Sequence, residues 1–264
     1  MSSNDIFETE SIALCISRQL RPEVNLSECV AALDSLSAPL VGFVNKEQTP
    51  KYQAELIRDL LYRENGYSGN ESDYYDPMNS FLDVVVERKR GIPITLCLIY
   101  MSVGARLGMN VAGIGFPGHF LAQVGGPDGV FIDPFNQGKV LTSQDVTELF
   151  RDVMGFTGRV PSTFLKPVGA QAVAVRILAN LKNAYSRRGD QARAMVACDK
   201  LVELTGMPEH RRDRGLLALT LGSYHSARED LQAYLQAKPD AKDLEKIRKA
   251  VQRAHNLSSS AILN

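Results

Sequence analysis

Apolar residues recur at helical spacing through the first 65 positions of the chain, with short breaks between segments. The spacing is clear between residues 26 and 36 and again between residues 51 and 64, and Pro22 interrupts it before the first of these. Residues three and four apart share one face of an α-helix, so a recurring apolar face predicts helices that pack on a common core. We therefore expect a helical scaffold at the amino-terminal end.

The pattern changes after residue 65. Residues 66–80 are rich in Gly, Ser, Asn and Asp, which compete for backbone hydrogen bonds, so this stretch is predicted to be a surface loop. Ser80 and Asp83 have the spacing of a capping box, which predicts that a helix begins there and runs to Gly91.

Residues 93–107 are apolar nearly all round, with Pro93 at a predicted first helical position and Gly108 at the predicted end. A helix that is apolar on every face is a buried one. Three short runs rich in Phe, Val and Ile follow, separated by Gly and Pro residues, and they predict strands that include a hairpin. The predicted fold class is therefore α+β, with a small antiparallel sheet.

The last hundred residues contain an internal repeat. Aligning residues 189–202 with residues 222–235 superposes Gly189 on Gly222 and Ala194 on Ala227, an offset of 33 residues. This is close to the 34-residue tetratricopeptide period, so we predict an all-α region of TPR-like hairpins, with an unrelated four-helix bundle as the alternative. We expect two domains, residues 1–165 and 166–264.

Composition narrows the classes of function. Lys and Arg total 30 and Asp and Glu total 30, and this zero balance argues against a nucleic-acid or anionic-membrane partner. No apolar run reaches the ~18 residues of a membrane span, and the first residues lack a signal-peptide pattern. The four cysteines show no disulfide or zinc spacing. We expect a cytoplasmic protein without a metal or other cofactor.

His119 and Asp133 are the strongest candidates for chemistry. If the hairpin turns about Gly126, each lies seven residues from the turn, so the two are directly opposite. Cross-strand neighbours have Cβ atoms ~5 Å apart, close enough for a carboxylate to orient an imidazole as in an acid–base pair. The alternative is structural: His119 follows a Pro-Gly turn and Asp133 precedes Pro134.

A nucleophile is harder to find. Cys97 is the one cysteine near this pair in the predicted fold, but it lies in the second turn of the buried helix. Burial raises the pKa of a thiol, and the helix dipole is already weak there. A buried structural cysteine and a reactive one both remain open.

Three motifs in order resemble a known family. They are residues 74–108, YYDPMNSFLDVVVERKRGIPITLCLIYMSVGARLG, residues 115–124, GFPGHFLAQV, and residues 131–138, FIDPFNQG. With the C-terminal repeats, they resemble the bacterial SirB/YchA-type family, which has a transglutaminase-like domain followed by TPR-like repeats. The resemblance implies a papain-like core in which a helix carries the nucleophile and a sheet carries His119 and Asp133.

The resemblance also implies that the nucleophile position is not filled by a cysteine. In transglutaminase-like enzymes the nucleophile opens the central helix, two residues after a Gly. Counting from Gly91 gives Pro93, which has neither a thiol nor a backbone N–H for an oxyanion hole. Cys97 lies one turn, ~5.4 Å, further along the helix.

Two functions follow from these residues. The first is a catalytically degenerate transglutaminase-like protein that binds a protein or peptide as a regulatory scaffold, also through its TPR-like helices. The second is an active cysteine hydrolase or acyl transferase that uses Cys97, His119 and Asp133. In either case Asn79 and Tyr75 are candidates to rim the cleft and bind a ligand, with anchoring of the 66–80 loop as the alternative. Substrate, partner and oligomeric state are not indicated by the sequence.

Overall fold

The computed structural model describes residues 2–45, 47–155 and 158–262. The chain divides into two compact units, the first ending at Ile177 and the second beginning at Leu178. The first unit is a helical scaffold around a small antiparallel sheet and the second is helical, which confirms the α+β expectation. No helix of the described residues is long and apolar enough to cross a membrane.

The first unit begins with a helical scaffold, as the periodicity predicts. Its helices are α1 (Ser3–Leu20), α2 (Leu26–Ser37) and α3 (Pro50–Arg58), which continues as a π-helical turn to Glu64. Two more helices follow, α4 (Leu82–Arg88) and α5 (Pro93–Arg106). Two-residue strands β1 (Ser68–Gly69) and β2 (Arg90–Gly91) pair in parallel between them.

The antiparallel sheet follows α5 and has four strands in sequential order. They are β3 (Val111–Ile114), β4 (Leu121–Val124), β5 (Val130–Asp133) and β6 (Lys139–Leu141). The helices α6 (Ser143–Met154) and α7 (Ala170–Arg187) come next, and α7 runs past the division between the units. Along the outer side of β3, the N–H of Val168 donates to the carbonyl of Gly113 at 2.9 Å, and Pro167 bridges to Ile114.

Helix α5 is the centre of the first unit. Every residue from Pro93 to Ala105 is buried, because α5 packs against α1, α2 and α4 and also against β3 and β4. The prediction of a buried central helix is thus confirmed. Its last turn is fixed by Arg106, which pairs with Glu10 of α1 and Asp34 of α2.

Two local predictions are wrong. Asn79 and Ser80 are buried, so residues 66–80 are not simply a surface loop. They include β1 and a 3-10 turn over Pro77–Ser80. The proposed capping box is absent, since α4 begins at Leu82 with Phe81 as an N-cap that makes no side-chain hydrogen bond. Burial of Phe81 against the core replaces the polar cap.

Close packing of α5 on β3 depends on Gly104. A Cβ at this position would overlap Cγ2 of Val111 and lie 3.3 Å from its Cβ. We expect Gly104→Ala to lower the free energy of unfolding by about 1–3 kcal/mol in urea denaturation, because strand and helix would have to separate. Gly169→Ala is the matched control, since nothing lies within 4 Å of its Cβ position. An equal effect of both substitutions would contradict the close approach.

The second unit contains the last part of α7 and the helices that follow it. They are α8 (Gln191–Thr205), α9 (Pro208–Thr220), α10 (Tyr224–Ala237) and α11 (Leu244–Ile262). Gly189 and Gly222 precede α8 and α10 and have φ of +77° and +82°. The two aligned glycines therefore form the same left-handed turn before equivalent helices, which is the reason for their recurrence. Within the unit, Arg214 pairs with Asp199 at 3.1 Å and with Asp230 at 2.6 Å.

Candidate functional site

The structure brings His119 and Asp133 into direct contact. Nε2 of His119 donates to Oδ1 of Asp133 at 2.8 Å. The side chains are 11% and 4% exposed, so the pair reaches solvent only through the imidazole. With Nε2 engaged by the carboxylate, Nδ1 is the ring nitrogen left for a substrate or ligand.

The contact does not arise from the register that we predicted. The sheet pairs Ala122 with Ile132, and the same register extended would set Asp133 opposite Leu121, two residues from the predicted partner. His119 lies before β4, after a turn in which Gly118 has φ +64°. A shift of two residues keeps side chains on the same face of a sheet, and this explains why the contact forms although the predicted register was wrong.

The carboxylate of Asp133 accepts several hydrogen bonds besides the one from His119. Its Oδ1 also accepts from the backbone N–H of Phe135 at 3.1 Å and of Asn136 at 3.2 Å, and Oδ2 accepts from Nδ2 of Asn136 at 2.7 Å. Burial by itself raises the pKa of Asp133, but the hydrogen bond and charge of His119, together with Asn136, outweigh it and leave that pKa below its usual value. The carboxylate is therefore ionised at neutral pH and fixes the imidazole.

Cys97 lies against the sheet but is enclosed. It is 0% exposed, and its thiol donates to the carbonyl of Leu121 at 3.3 Å. Burial raises the pKa of Cys97 well above its usual value, and the negative charge of Asp133 raises it further. A thiol in such surroundings is a weak nucleophile.

Pro93 opens α5, as expected for the position that matches the nucleophile. The first turn of α5 is capped by Thr95. Its Oγ1 accepts from the N–H of Ile92 at 3.2 Å and donates to the carbonyl of Asn79 at 2.7 Å. The hydroxyl of Thr95 thus ties the start of the central helix to the preceding loop.

Asn79 anchors that loop. Its Nδ2 donates to the carbonyls of Asp73 at 2.8 Å and Tyr74 at 3.2 Å, and its Oδ1 accepts from Nδ2 of Asn70 at 3.0 Å. A ligand would have to displace these bonds, so the contacts agree with the anchoring alternative, and ligand binding by Asn79 stays a prediction.

Tyr75 has a different setting. Its side chain is 44% exposed and its ring packs edge-on against Tyr74 at 5.3 Å between centroids. Tyr74 in turn contacts Phe135 at 5.9 Å, and Phe135 contacts the ring of His119 at 6.1 Å. An aromatic row therefore leads from the surface to the His119–Asp133 pair, which is compatible with the predicted ligand-binding role of Tyr75 without testing it.

Sequence reasoning missed two residues near the pair. The Tyr62 hydroxyl is buried with no hydrogen-bond partner among the described residues, in electrostatic reach of Cys97 and Asp133. Arg176, on α7, donates from Nη2 to the carbonyl of His119 at 3.1 Å. Neither lies in a motif, and both reach the site from segments far from it in sequence, so no local signal identifies them. In the described part of the chain, no three His, Cys, Asp or Glu side chains form a metal-binding group.

Comparison with known proteins gives two family matches. A family model of the transglutaminase-like superfamily matches residues 27–179, and a tetratricopeptide repeat model matches residues 181–252. No solved structure matches the chain.

Related chains are known in several organisms. A UPF0162 protein of Xylella fastidiosa (strain 9a5c) is 36% identical over 245 residues, covering 90% of this chain and 86% of that protein. A UPF0162 protein of Vibrio cholerae is 28% identical over 241 residues, covering 89% and 88%. The F-box only protein 21 of Mus musculus is 30% identical over 144 residues, covering 51% of this chain and 22% of that protein.

Proposed function

Because the chain belongs to the transglutaminase-like superfamily and to the family of UPF0162 proteins, with tetratricopeptide repeats after residue 180, we propose that it is a catalytically degenerate member that binds proteins or peptides. In this role the His119–Asp133 pair is a structural and ligand-binding element, and the repeats supply a second interaction surface. Tetratricopeptide repeats stack helix pairs that present extended binding surfaces, which supports the second part.

The observation that carries the proposal is the setting of Cys97. An acid–base pair activates a nucleophile when the base lies within hydrogen-bond reach of the nucleophile's proton, directly or through one water. Here the thiol proton is engaged by the Leu121 carbonyl at 3.3 Å, and Asp133, whose charge would support catalysis, instead raises the pKa of Cys97. The pair is assembled, but this thiol is not prepared to react.

Pro93 supports the same conclusion. It occupies the first turn of α5, where a nucleophile would benefit from the helix dipole. Proline supplies no thiol and no backbone N–H, and loss of one oxyanion donor costs ~2.7–4 kcal/mol of transition-state stabilisation. The intact His119–Asp133 contact without a nucleophile at this position is the pattern expected of a binding module.

The mouse relative adds support from another direction. About half of this chain is similar to a fifth of a much longer protein named F-box only protein 21. A segment of 144 residues is thus shared with a protein in which it covers 22% of the length, as expected of a module that can be combined with other domains.

The finer expectations stay proposals. We place the protein in the cytoplasm because all four cysteines are free thiols. The SirB/YchA resemblance suggests a regulatory role through a protein partner. The alternative, an active cysteine hydrolase or acyl transferase, has one observation in its favour: Cys97 packs against β4, the strand that follows His119.

Alkylation of Cys97 distinguishes the two functions. We expect iodoacetamide to modify exposed Cys15 readily and buried Cys97 at least about 100-fold more slowly in native protein, because the reagent does not reach an enclosed thiol and burial raises the pKa of Cys97. Mass spectrometry of peptides sampled over time gives both rates in one sample.

Two further measurements make the result decisive. Denaturant should make the Cys97 and Cys15 rates similar, and His119→Ala should leave the native Cys97 rate unchanged. Fast native modification of Cys97 that His119→Ala abolishes would establish the catalytic alternative.

A further inference from the structure

Arg176 is placed beside the site in an unusual electrostatic setting. It lies on the part of α7 that belongs to the first unit, and its side chain is half-buried. Its Nη2 donates to the carbonyl oxygen of His119 at 3.1 Å. A guanidinium has five N–H donors, so this single bond leaves most of its donor capacity for another partner.

The other half-buried arginines of the first unit are each paired with a carboxylate. Arg21 pairs with Asp83 at 2.7 Å, Arg58 with Asp59 at 2.9 Å, and Arg106 with Glu10 at 2.7 Å. Among the described residues, Arg176 forms no ion pair with a carboxylate, and no acidic side chain contributes to its pKa shift. Burial accordingly lowers the pKa of Arg176, and the phenol of Tyr74, which only partly opposes this effect, carries no charge at neutral pH.

A cation withdrawn from water without a counter-ion is costly, and proteins retain such groups where a ligand supplies the opposite charge. We propose that Arg176 binds the carboxylate of a peptide ligand and thereby sets that ligand beside His119. This deepens the proposed function, because it names the chemistry recognised at the same site.

The surroundings favour a peptide carboxylate over a phosphate. Arg176 supplies one positive charge, which balances a singly charged carboxylate but only half of a phosphate dianion. The aromatic row of Tyr75, Tyr74 and Phe135 borders the same place and offers an apolar surface for the ligand's side chains. Tyr74 is 37% and Tyr75 44% exposed, so part of this surface reaches solvent.

The test uses labelled tripeptides as probes. Dansylated tripeptides ending in phenylalanine, one with a free carboxylate and one as its amide, are titrated with the protein while fluorescence anisotropy is measured. A third peptide with an amidated end and an internal aspartate distinguishes a chain terminus from a side-chain carboxylate. We expect the better of the two carboxylate peptides to bind about 10- to 100-fold more tightly than the neutral amide, as for a hydrogen-bonded charge pair.

Variants assign this preference to Arg176. Arg176→Gln should abolish the preference for the carboxylate and Arg176→Lys should retain part of it. Arg151→Gln, which removes an equal charge from a half-exposed arginine on α6, should leave binding unchanged. The Arg176→Gln protein should also have a melting temperature within about 3 °C of the wild type, because Arg176 forms no internal ion pair. If Arg176 had only a structural role, its loss would lower the melting temperature further.

Each other outcome has a definite meaning. Equal binding of acid and amide, or a preference that survives Arg176→Gln, overturns the assignment to Arg176 while leaving a peptide-binding module intact. Competition by inorganic phosphate stronger than that by acetate at equal ionic strength overturns the choice of carboxylate. No binding of any probe also overturns this inference, and the proposed function is then judged on the Cys97 rates alone.

Discussion

Replacing Asp133 by alanine is expected to lower the free energy of unfolding by about 3–5 kcal/mol. The substitution removes an enclosed carboxylate and leaves the donors of His119, Phe135 and Asn136 without an acceptor. Urea denaturation followed by circular dichroism measures the change. Asp152→Ala, at a carboxylate that is 73% exposed, serves as the control and should change the free energy by less than about 0.5 kcal/mol.

The lowered pKa of Asp133 also makes the free energy of unfolding depend on pH. The pKa of Asp133 in the folded protein lies below the value of 3.8 for the free side chain, so the folded state binds the proton less readily than the unfolded state. The contribution of the ionised Asp133 to the free energy of unfolding is therefore complete above pH 4. It is lost as the pH falls through the pKa of Asp133 in the folded protein. The stability difference between wild type and Asp133→Asn should therefore shrink below pH 4. A difference that stays constant from pH 6 to pH 3 would mean that this carboxylate is not held in its charged form.

Arg106→Ala is expected to destabilise the first unit by a similar amount, about 3–5 kcal/mol. The guanidinium donates to both oxygens of Glu10, at 2.7 and 3.1 Å, and to Asp34 at 2.6 Å. Glu10 is only 4% exposed, so removing Arg106 leaves a buried negative charge without its partner. Burial tends to lower the pKa of Arg106, but its bonds to Glu10 and Asp34 raise it overall, as expected of a favourable pair.

A double-mutant cycle separates the buried charge from the lost packing. Adding Glu10→Gln to Arg106→Ala should recover part of the loss, because the remaining side chain is neutral, and the coupling between the two sites should exceed about 1 kcal/mol. Chemical denaturation of the four proteins provides the energies. A loss below about 1 kcal/mol for Arg106→Ala alone would show that the pair contributes no more than an exposed one.

Regular elements were predictable where one pattern persists over many residues. The apolar run from Pro93 onward indicates a buried helix because no face of it could contact water, and α5 is buried along nearly all of its length. The repeat of Gly189 and Gly222 indicates equivalent turns because glycine readily adopts positive φ. The capping-box prediction at Ser80 failed because a tertiary contact, the burial of Phe81, decides where α4 begins.

The site was predictable only in part. The contact between His119 and Asp133 was expected from a hairpin, but the register depends on how the glycine-rich turn between β4 and β5 folds, which spacing alone does not determine. Arg176 is 57 residues from His119 in sequence, and Arg106 is 96 from Glu10. Such pairs follow from the packing of whole elements, and a single sequence contains no local pattern for them.

The backbone bond between Val168 and Gly113 has a practical consequence for dissecting the protein. Pro167 and Val168 lie along the outer edge of β3 and cover it. A fragment that ends at residue 165 would lose both residues, and it would also lose Arg176. An uncovered strand edge exposes unpaired backbone groups and promotes self-association between copies. Preparations of the amino-terminal part for crystallisation or binding assays should therefore retain the chain at least through Ile177, and shorter fragments are expected to precipitate.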